Sequence, residues 1–286
     1  MYVENRVALI TGGVSGIGLS IAKELLRNGI RGVTLMDINE VTGKEVVTLL
    51  KKEYGPEKVI YIKGDVTVTL LKKEYGPEKV IYIKGDVTNA SEFEGAFKTT
   101  IEIFNNIDIL VNSAGISDEV NSKKTIDINL CGVLTGTYLA MDNYLSKYKT
   151  MQHPIVVNVS SIFGLDGVQS SVTYSATKHA VIGIGKCLSM KEHFMATGVR
   201  IITICPGAAD TPLLSTFRTL PGRYEDISKT LLPGLHVQQP EVISRSLVKI
   251  LNICNTGDVW VIEDEKCKLL EIPDRFSLKV LKTVDV

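Results

Sequence analysis

The turn Thr11-Gly12-Gly13-Val14-Ser15-Gly16-Ile17-Gly18 separates an apolar run, Val7 to Ile10, from an amphipathic stretch, Leu19 to Arg27. Glycines at a strand-to-helix junction let the backbone approach a ligand closely. The helix N-terminus that follows offers free N–H groups and a dipole that favours an anion. The spacing, Gly12-x3-Gly16-x-Gly18, departs from G-x-G-x-x-G, so the turn by itself is a modest signal. The helix it opens is expected to stop at Asn28-Gly29, a C-terminal cap signal.

Short β-rich runs recur along the chain: Val7 to Ile10, Val33 to Met36, Val59 to Ile62, Ile107 to Val111, Ile155 to Val159, Val199 to Ile204 and Val259 to Ile262. Helix-length segments separate them, which implies parallel βαβ units. The expected architecture is α/β: one Rossmann-type, doubly wound parallel sheet over residues 1–286 in strand order 3-2-1-4-5-6-7. Its ligand site belongs at the carboxyl ends of the strands.

One feature disturbs the pattern. Val47 to Thr67, VTLLKKEYGPEKVIYIKGDVT, recurs letter for letter as Val68 to Thr88. Such a tandem copy points to a recent duplication or a sequence-assembly error, and not to a solenoid, which needs about three or more units. The fold requires one copy. The surplus is expected to extrude near the third strand as a partly helical surface insert. The alternative is a strand added outside the sheet edge, since Gly64 to Lys79 meets the dozen or so residues of a parallel crossover. Asp65 and Asp86 are thereby rivals for one role.

Formal net charge is zero and the sequence pI is about 6.9, with no basic run, so nothing calls for nucleic acid or an anionic membrane. The five cysteines are widely spaced, and neither they nor the four histidines show zinc-ligand spacing. No metal is expected. There is no apolar segment of a signal peptide and no run near the roughly 20 residues that span a bilayer. These observations favour a cytoplasmic protein whose partner is a small molecule.

Asp37 ends the second strand, where a carboxylate would accept hydrogen bonds from ribose hydroxyls and repel a 2′-phosphate. No Arg or Lys stands at Gly13 to Ser15, Ile38 or Asn39, which favours NAD over NADP. The alternative for Asp37 is an N-cap of the next helix. Tyr174 and Lys178 are four residues apart, hence on one helical face. An ammonium there favours the phenolate and lowers a pKa that is about 10 in peptides.

Taken in order, TGGVSGIG at 11 to 18, Asn112-Ser113-Ala114-Gly115, Asn129, Val159-Ser160-Ser161, Tyr174-x3-Lys178 and Pro206-Gly207-x3-Thr211 resemble the short-chain dehydrogenase/reductase family from Val7 to about Asp264. Ser113 replaces the second Asn of the usual N-N-A-G. The resemblance implies Tyr174 as acid/base, Lys178 holding the nicotinamide ribose, Ser161 placing the substrate oxygen and Asn129 supporting a proton relay. The alternative for Asn129 is a bond to helix backbone. The cofactor contacts implied are Gly12, Val14, Ser15, Gly16, Ile17, Gly18 and Asp37 at the first end, and Asp65 or Asp86 with Val87. Asn112, Ala114, Gly115, Tyr174, Lys178, Pro206, Gly207 and Thr211 complete them. Asn112 has a structural alternative, satisfying neighbouring strands.

The C-terminal part, with Gln239-Pro240-Glu241 and Gly257-Asp258-Val259-Trp260, is similar to insect-type alcohol dehydrogenases and 15-hydroxyprostaglandin dehydrogenases. Ser171 replaces the glutamine with which prostaglandin dehydrogenases bind substrate, which weighs against a prostaglandin. Residues 208–236, rich in Leu, Pro and Gly, read as a lid over an apolar pocket or as buried helix faces. Phe163, Val168 and Gln169 are further pocket candidates. The implied activity is NAD-dependent oxidation of a secondary or lipophilic alcohol. Alternatives are a carbonyl reductase working in reverse, or an idle dinucleotide- or lipid-binding protein. Family habit suggests a homodimer or homotetramer.

Overall fold

The computed structural model of the chain describes residues 2–55, 59–62, 80–231 and 234–273. Among these residues nine strands lie in one sheet: β1 (Val7–Thr11), β2 (Gly32–Asp37), β3 (Val59–Ile62), β4 (Val80–Lys84), β5 (Ile109–Asn112), β6 (Ile155–Val159), β7 (Arg200–Pro206), β8 (Val259–Glu263) and β9 (Lys266–Leu270). Their order is β3-β4-β2-β1-β5-β6-β7-β8-β9. The pairings are parallel apart from β8 with β9.

A parallel sheet is covered on both faces, so its strands read as continuous apolar runs. All five residues of β1 are buried. Ala8 and Ile10 enter one core, with Ile21 and Leu25 of helix α1 (Gly16–Arg27) and Val46 and Leu50 of α2 (Glu40–Tyr54). Val7 and Leu9 enter the other, with Phe93 and Phe97 of α3 (Ala90–Phe104). This second face is completed by a rod in which α4 (Ser122–Ile126), α5 (Val133–Tyr138) and α6 (Leu145–Tyr148) are joined by π-helical turns, Asp127–Gly132 and Leu139–Tyr144. Helices α7 (Val172–Leu188), α8 (Lys191–Thr197), α9 (Pro212–Ser215), α10 (Arg223–Leu231) and α11 (Pro240–Leu251) follow. Helix α11 returns to α1, where Ser244 and Ser20 hydroxyls meet at 3.0 Å.

The duplicated segment corrects one expectation. Its first strand is not extruded: β3 pairs in parallel outside β4, with Val59 opposite Val80 and Ile62 opposite Ile83. The second copy holds the inner place, pairing with β2 from Val33–Val80 to Asp37–Lys84. Strand addition satisfies backbone groups that an extruded loop would have to leave to water. The inner choice follows from what lies downstream. The N–H of Asp86 donates to the Glu92 carboxylate at 2.8 Å, and Asn89 caps α3 by accepting from the N–H groups of Ser91 and Glu92. Only the second copy is joined directly to that helix.

The short antiparallel β9 was not anticipated. Lys266, Cys267 and Lys268 are exposed and carry no apolar pattern, and the hairpin turn Asp264-Glu265 takes positive φ at both residues without a glycine.

Candidate active site

The carboxyl ends of β1, β2, β4, β5, β6 and β7 open on one cavity of about 540 Å³, within the roughly 300–1,000 Å³ of small-molecule sites. Its floor is the glycine turn. Gly12 has φ +63°, and a Cβ there would lie 2.9 Å from Ala114 Cα; one on Gly18 would lie 2.2 Å from the Gly12 carbonyl oxygen. The turn is therefore closed by backbone approaching backbone, as a phosphate cradle requires. Thr11 Oγ1 secures the facing turn, accepting from the N–H groups of Ser113 and Ala114, each at 3.1 Å. The N-cap Ser15 makes no side-chain cap, and α1 has no acid in its first turn. Its N–H groups and dipole remain available to an anionic ligand.

Asp37 borders the cavity at the end of β2. It does not cap α2, a task taken by Asn39, which accepts from Thr42 N–H. The Asp37 carboxylate accepts from the N–H of Asn39 at 3.0 Å and of Val14 at 3.4 Å. Burial raises its carboxyl above the ordinary value, against the pull of those backbone donors. Among the described lining residues, Lys178 is the only Lys or Arg, and it lies beside Tyr174. A carboxylate beside which the described lining places no Lys or Arg suits a ribose diol better than a 2′-phosphate. These features fit the pyrophosphate and adenosine ribose of NAD.

Gly12, Val14, Ser15, Gly16, Ile17, Gly18, Asp37, Asp86, Val87, Ala114, Gly115, Ser161, Tyr174, Lys178, Pro206, Gly207 and Thr211 all line this cavity. Asp65 lies outside the described residues. Asn112 is a correction: it does not border the cavity, and its side-chain N–H groups donate to Asn158 Oδ1 at 2.9 Å and Thr137 Oγ1 at 3.2 Å. It joins β5 to β6 and to the helical rod. Asn129 sits behind Gly115 in the first π-helical turn. Its amide clasps Ile116, accepting from the N–H at 2.9 Å and donating to the carbonyl at 2.8 Å, and it reaches Thr177 Oγ1 at 3.3 Å.

Ser161, Tyr174 and Lys178 converge on one wall. The Ser161 hydroxyl, which accepts from Phe163 N–H at 3.1 Å, is near enough to the Tyr174 phenol to favour its ionised form. Phe163 stands edge-on to the Tyr174 ring, with centroids 6.3 Å apart. Lys178 Nζ lies 5.5 Å from the Tyr174 ring centre and donates to the Val159 carbonyl at 2.9 Å. Burial pushes the phenol up to about 12, opposed by the nearby Ser161 hydroxyl, and pushes the Lys178 ammonium down to about 8. The expected lowering of the phenol by lysine is not found in the protein alone, where burial raises it.

Sequence reading missed Glu119, buried under the start of α7, whose carboxylate takes the N–H groups of Thr173 and Tyr174. No local pattern marks it, because its partners are more than fifty residues away. In the region 208–236, Leu213, Leu214, Phe217 and Leu235 line the cavity, while Val168 and Gln169 do not.

A family model described as short chain dehydrogenase matches residues 6–72 and 67–220. The chain is 32% identical over 256 residues to the 15-hydroxyprostaglandin dehydrogenase [NAD(+)] of Mus musculus, covering 88% of this chain and 87% of that protein. It is 27% identical over 265 residues to alcohol dehydrogenase 1 of Ceratitis cosyra, covering 91% and 93%. Among solved structures, a 3-ketoacyl-(acyl-carrier-protein) reductase from Brucella melitensis complexed with NADH shares the fold, with a TM-score of 0.69 at 21% identity over 92% of this chain and 97% of that one.

Proposed function

Because the chain belongs to the short-chain dehydrogenase family, we propose that it is an NAD-dependent oxidoreductase that oxidises a secondary or lipophilic alcohol to a carbonyl compound. One observation carries the reading. The Ser161, Tyr174 and Lys178 side chains meet in the cavity whose far end is formed by the glycine turn and Asp37. Relatives that carry NAD(+) and alcohol dehydrogenase in their names support it.

Bound there, NAD would supply the hydride acceptor and a positive ring close to the phenol. The glycine turn and the α1 N-terminus would hold the pyrophosphate, and Asp37 the adenosine ribose. In the oxidation direction the substrate hydroxyl must lose its proton as the carbon loses hydride, so a base must stand within hydrogen-bond reach. Tyr174 takes that proton at its phenolic oxygen. The Ser161 hydroxyl, beside Tyr174, orients the substrate oxygen. Lys178 places a cation beside the phenol and favours its ionised form. Asn129 fixes the backbone at Ile116, and with it the turn that faces the reacting end. Leu214, Phe217 and Leu235 give an apolar wall suited to a lipophilic chain.

We place residues 208–236 over the substrate as a lid, and the protein in the cytoplasm as a homodimer or homotetramer. No described helix is long and apolar enough to cross a membrane. The test is NAD-coupled oxidation of a panel of secondary alcohols by the purified chain, alongside NADH and NADPH titrations by nicotinamide fluorescence. Tight NADH binding with alcohol-dependent reduction of NAD is expected. NADH binding without turnover of any alcohol would leave a binding protein in its place.

A further inference from the structure

Three serines that border the cavity carry buried hydroxyls with no hydrogen-bond partner among the described residues: Ser117 at 5% exposure, Ser170 at 2% and Ser171 at 0%. Buried hydroxyls are ordinarily satisfied, so three orphans at one cavity wall call for an explanation. They are also held together. The Ser117 carbonyl accepts from Arg218 N–H at 3.0 Å, and the Ser170 carbonyl accepts from Thr219 Oγ1 at 2.8 Å. Consecutive residues of one segment therefore clasp both serines, and Ser171 is joined to Ser170 through the chain. Their backbones are fixed, and it is rotation about the Cα–Cβ bond that would turn each buried hydroxyl toward a ligand.

The charge nearby is already used. Arg218 is paired with Asp118 at 3.1 Å, and both Glu119 oxygens accept from the N–H groups of Thr173 and Tyr174. What the wall offers is neutral donors and acceptors in an otherwise apolar lining that includes Phe163, Leu214 and Phe217. A hydroxyl can donate or accept, which suits an uncharged oxygen and gives no counter-ion to a carboxylate.

We propose that Ser117 and Ser170, with Ser171 beside them, form a polar subsite for a second, neutral oxygen of the substrate, set along the chain from the carbinol that Tyr174 serves. This rests on the dehydrogenase reading above and narrows its substrate class to lipophilic diols or hydroxyketones. A site built to hydrogen-bond an oxygen discriminates against the analogue that lacks it, because its buried groups are then left unpaired.

The test compares 2-octanol with its 2,4-, 2,5- and 2,6-diols and chain-matched hydroxyketones, using the full-length protein with NAD. Binding of the same probes to the protein with NADH is followed in parallel by nicotinamide fluorescence. At least one doubly oxygenated probe should exceed 2-octanol in kcat/KM by roughly tenfold or more. That ratio should collapse toward one in Ser117→Ala, Ser170→Ala and their double variant, with retained NADH affinity reporting that each is folded. Equal kcat/KM across the wild-type series, or a preference that survives in the double variant, would overturn the subsite. Absence of both binding and turnover for every probe would overturn it too. A serine-dependent binding preference without turnover would uphold the subsite while removing the dehydrogenase reading.

Discussion

Glu119 accepts a hydrogen bond from the backbone N–H of Tyr174 at 2.9 Å, and its second carboxylate oxygen accepts from that of Thr173 at 2.8 Å. Helix α7 thus begins on a buried carboxylate that satisfies two of its otherwise unpaired first-turn donors and complements its dipole. The same helix presents Tyr174 and Lys178, one turn apart. Removing the acceptor should loosen the end that carries the phenol. Glu119→Ala is expected to lose about 0.5–2 kcal/mol of stability and to lower kcat more than NADH affinity, with Glu119→Gln recovering part of both. Thermal unfolding and steady-state kinetics check this, and an unchanged kcat in a destabilised Glu119→Ala would confine the residue to capping.

Replacing Tyr174 by Phe removes the proposed proton acceptor but keeps the ring that packs on Phe163. Turnover of alcohols should fall by roughly 10²–10⁴-fold, while NADH affinity, set largely by the glycine turn and Asp37, changes little. Turnover that survives the substitution would remove Tyr174 as the base.

The pH dependence follows from two opposed shifts. Burial holds the Tyr174 phenol at about 12 and the Lys178 ammonium at about 8. Alcohol oxidation needs the deprotonated phenol, so kcat/KM should rise with pH, and carbonyl reduction, which needs the phenol proton, should fall. Below about pH 8, where Lys178 keeps its charge, that cation favours the phenolate, so Lys178→Met should lower kcat/KM there and Lys178→Arg should lower it less. Superimposable pH profiles for wild type and Lys178→Met would show that the ammonium does not tune the base.

The proposed role of Asp37, to set cofactor choice through one charge, can be tested directly. Asp37→Ala should weaken NADH binding by roughly tenfold or more, as expected for loss of a charge-assisted hydrogen bond, and improve NADPH binding. Fluorescence titration of both dinucleotides provides the measurement. An unchanged NADH-to-NADPH ratio would shift selectivity to other residues.

The two copies of the repeat can be told apart by their aspartates. Asp86 borders the cavity, held by bonds from its carboxylate to the N–H and hydroxyl of Thr88 at 2.9 and 2.8 Å. Asp86→Ala should weaken NADH binding several-fold, whereas Asp65→Ala should leave it as in wild type. Deleting residues 47–67 or 68–88 yields the same polypeptide, and that shorter chain should still bind NADH through the single remaining aspartate. Equal effects of the two substitutions would mean that both copies occupy the inner position in solution.

The seven strand runs, the glycine turn, Asp37 and the Ser161-Tyr174-Lys178 set were legible in the sequence because each is a local spacing with a local cause. Apolar runs alternate with helix-length segments, glycines stand where backbone must approach backbone, and an i,i+4 pair shares a helical face. What local pattern could not determine depended on partners distant in the chain. Two identical segments carry no letter that says which is inner; the direct connection of the second to α3, through Asp86, Asn89 and Glu92, decided it. Asn112 was drawn away from the cavity by Asn158 and Thr137, and Glu119 was brought under α7 from a loop more than fifty residues upstream. The same holds for the phenol: spacing placed a lysine beside Tyr174, but only tertiary burial fixed the dielectric around both, and desolvation raised the phenol and lowered the ammonium.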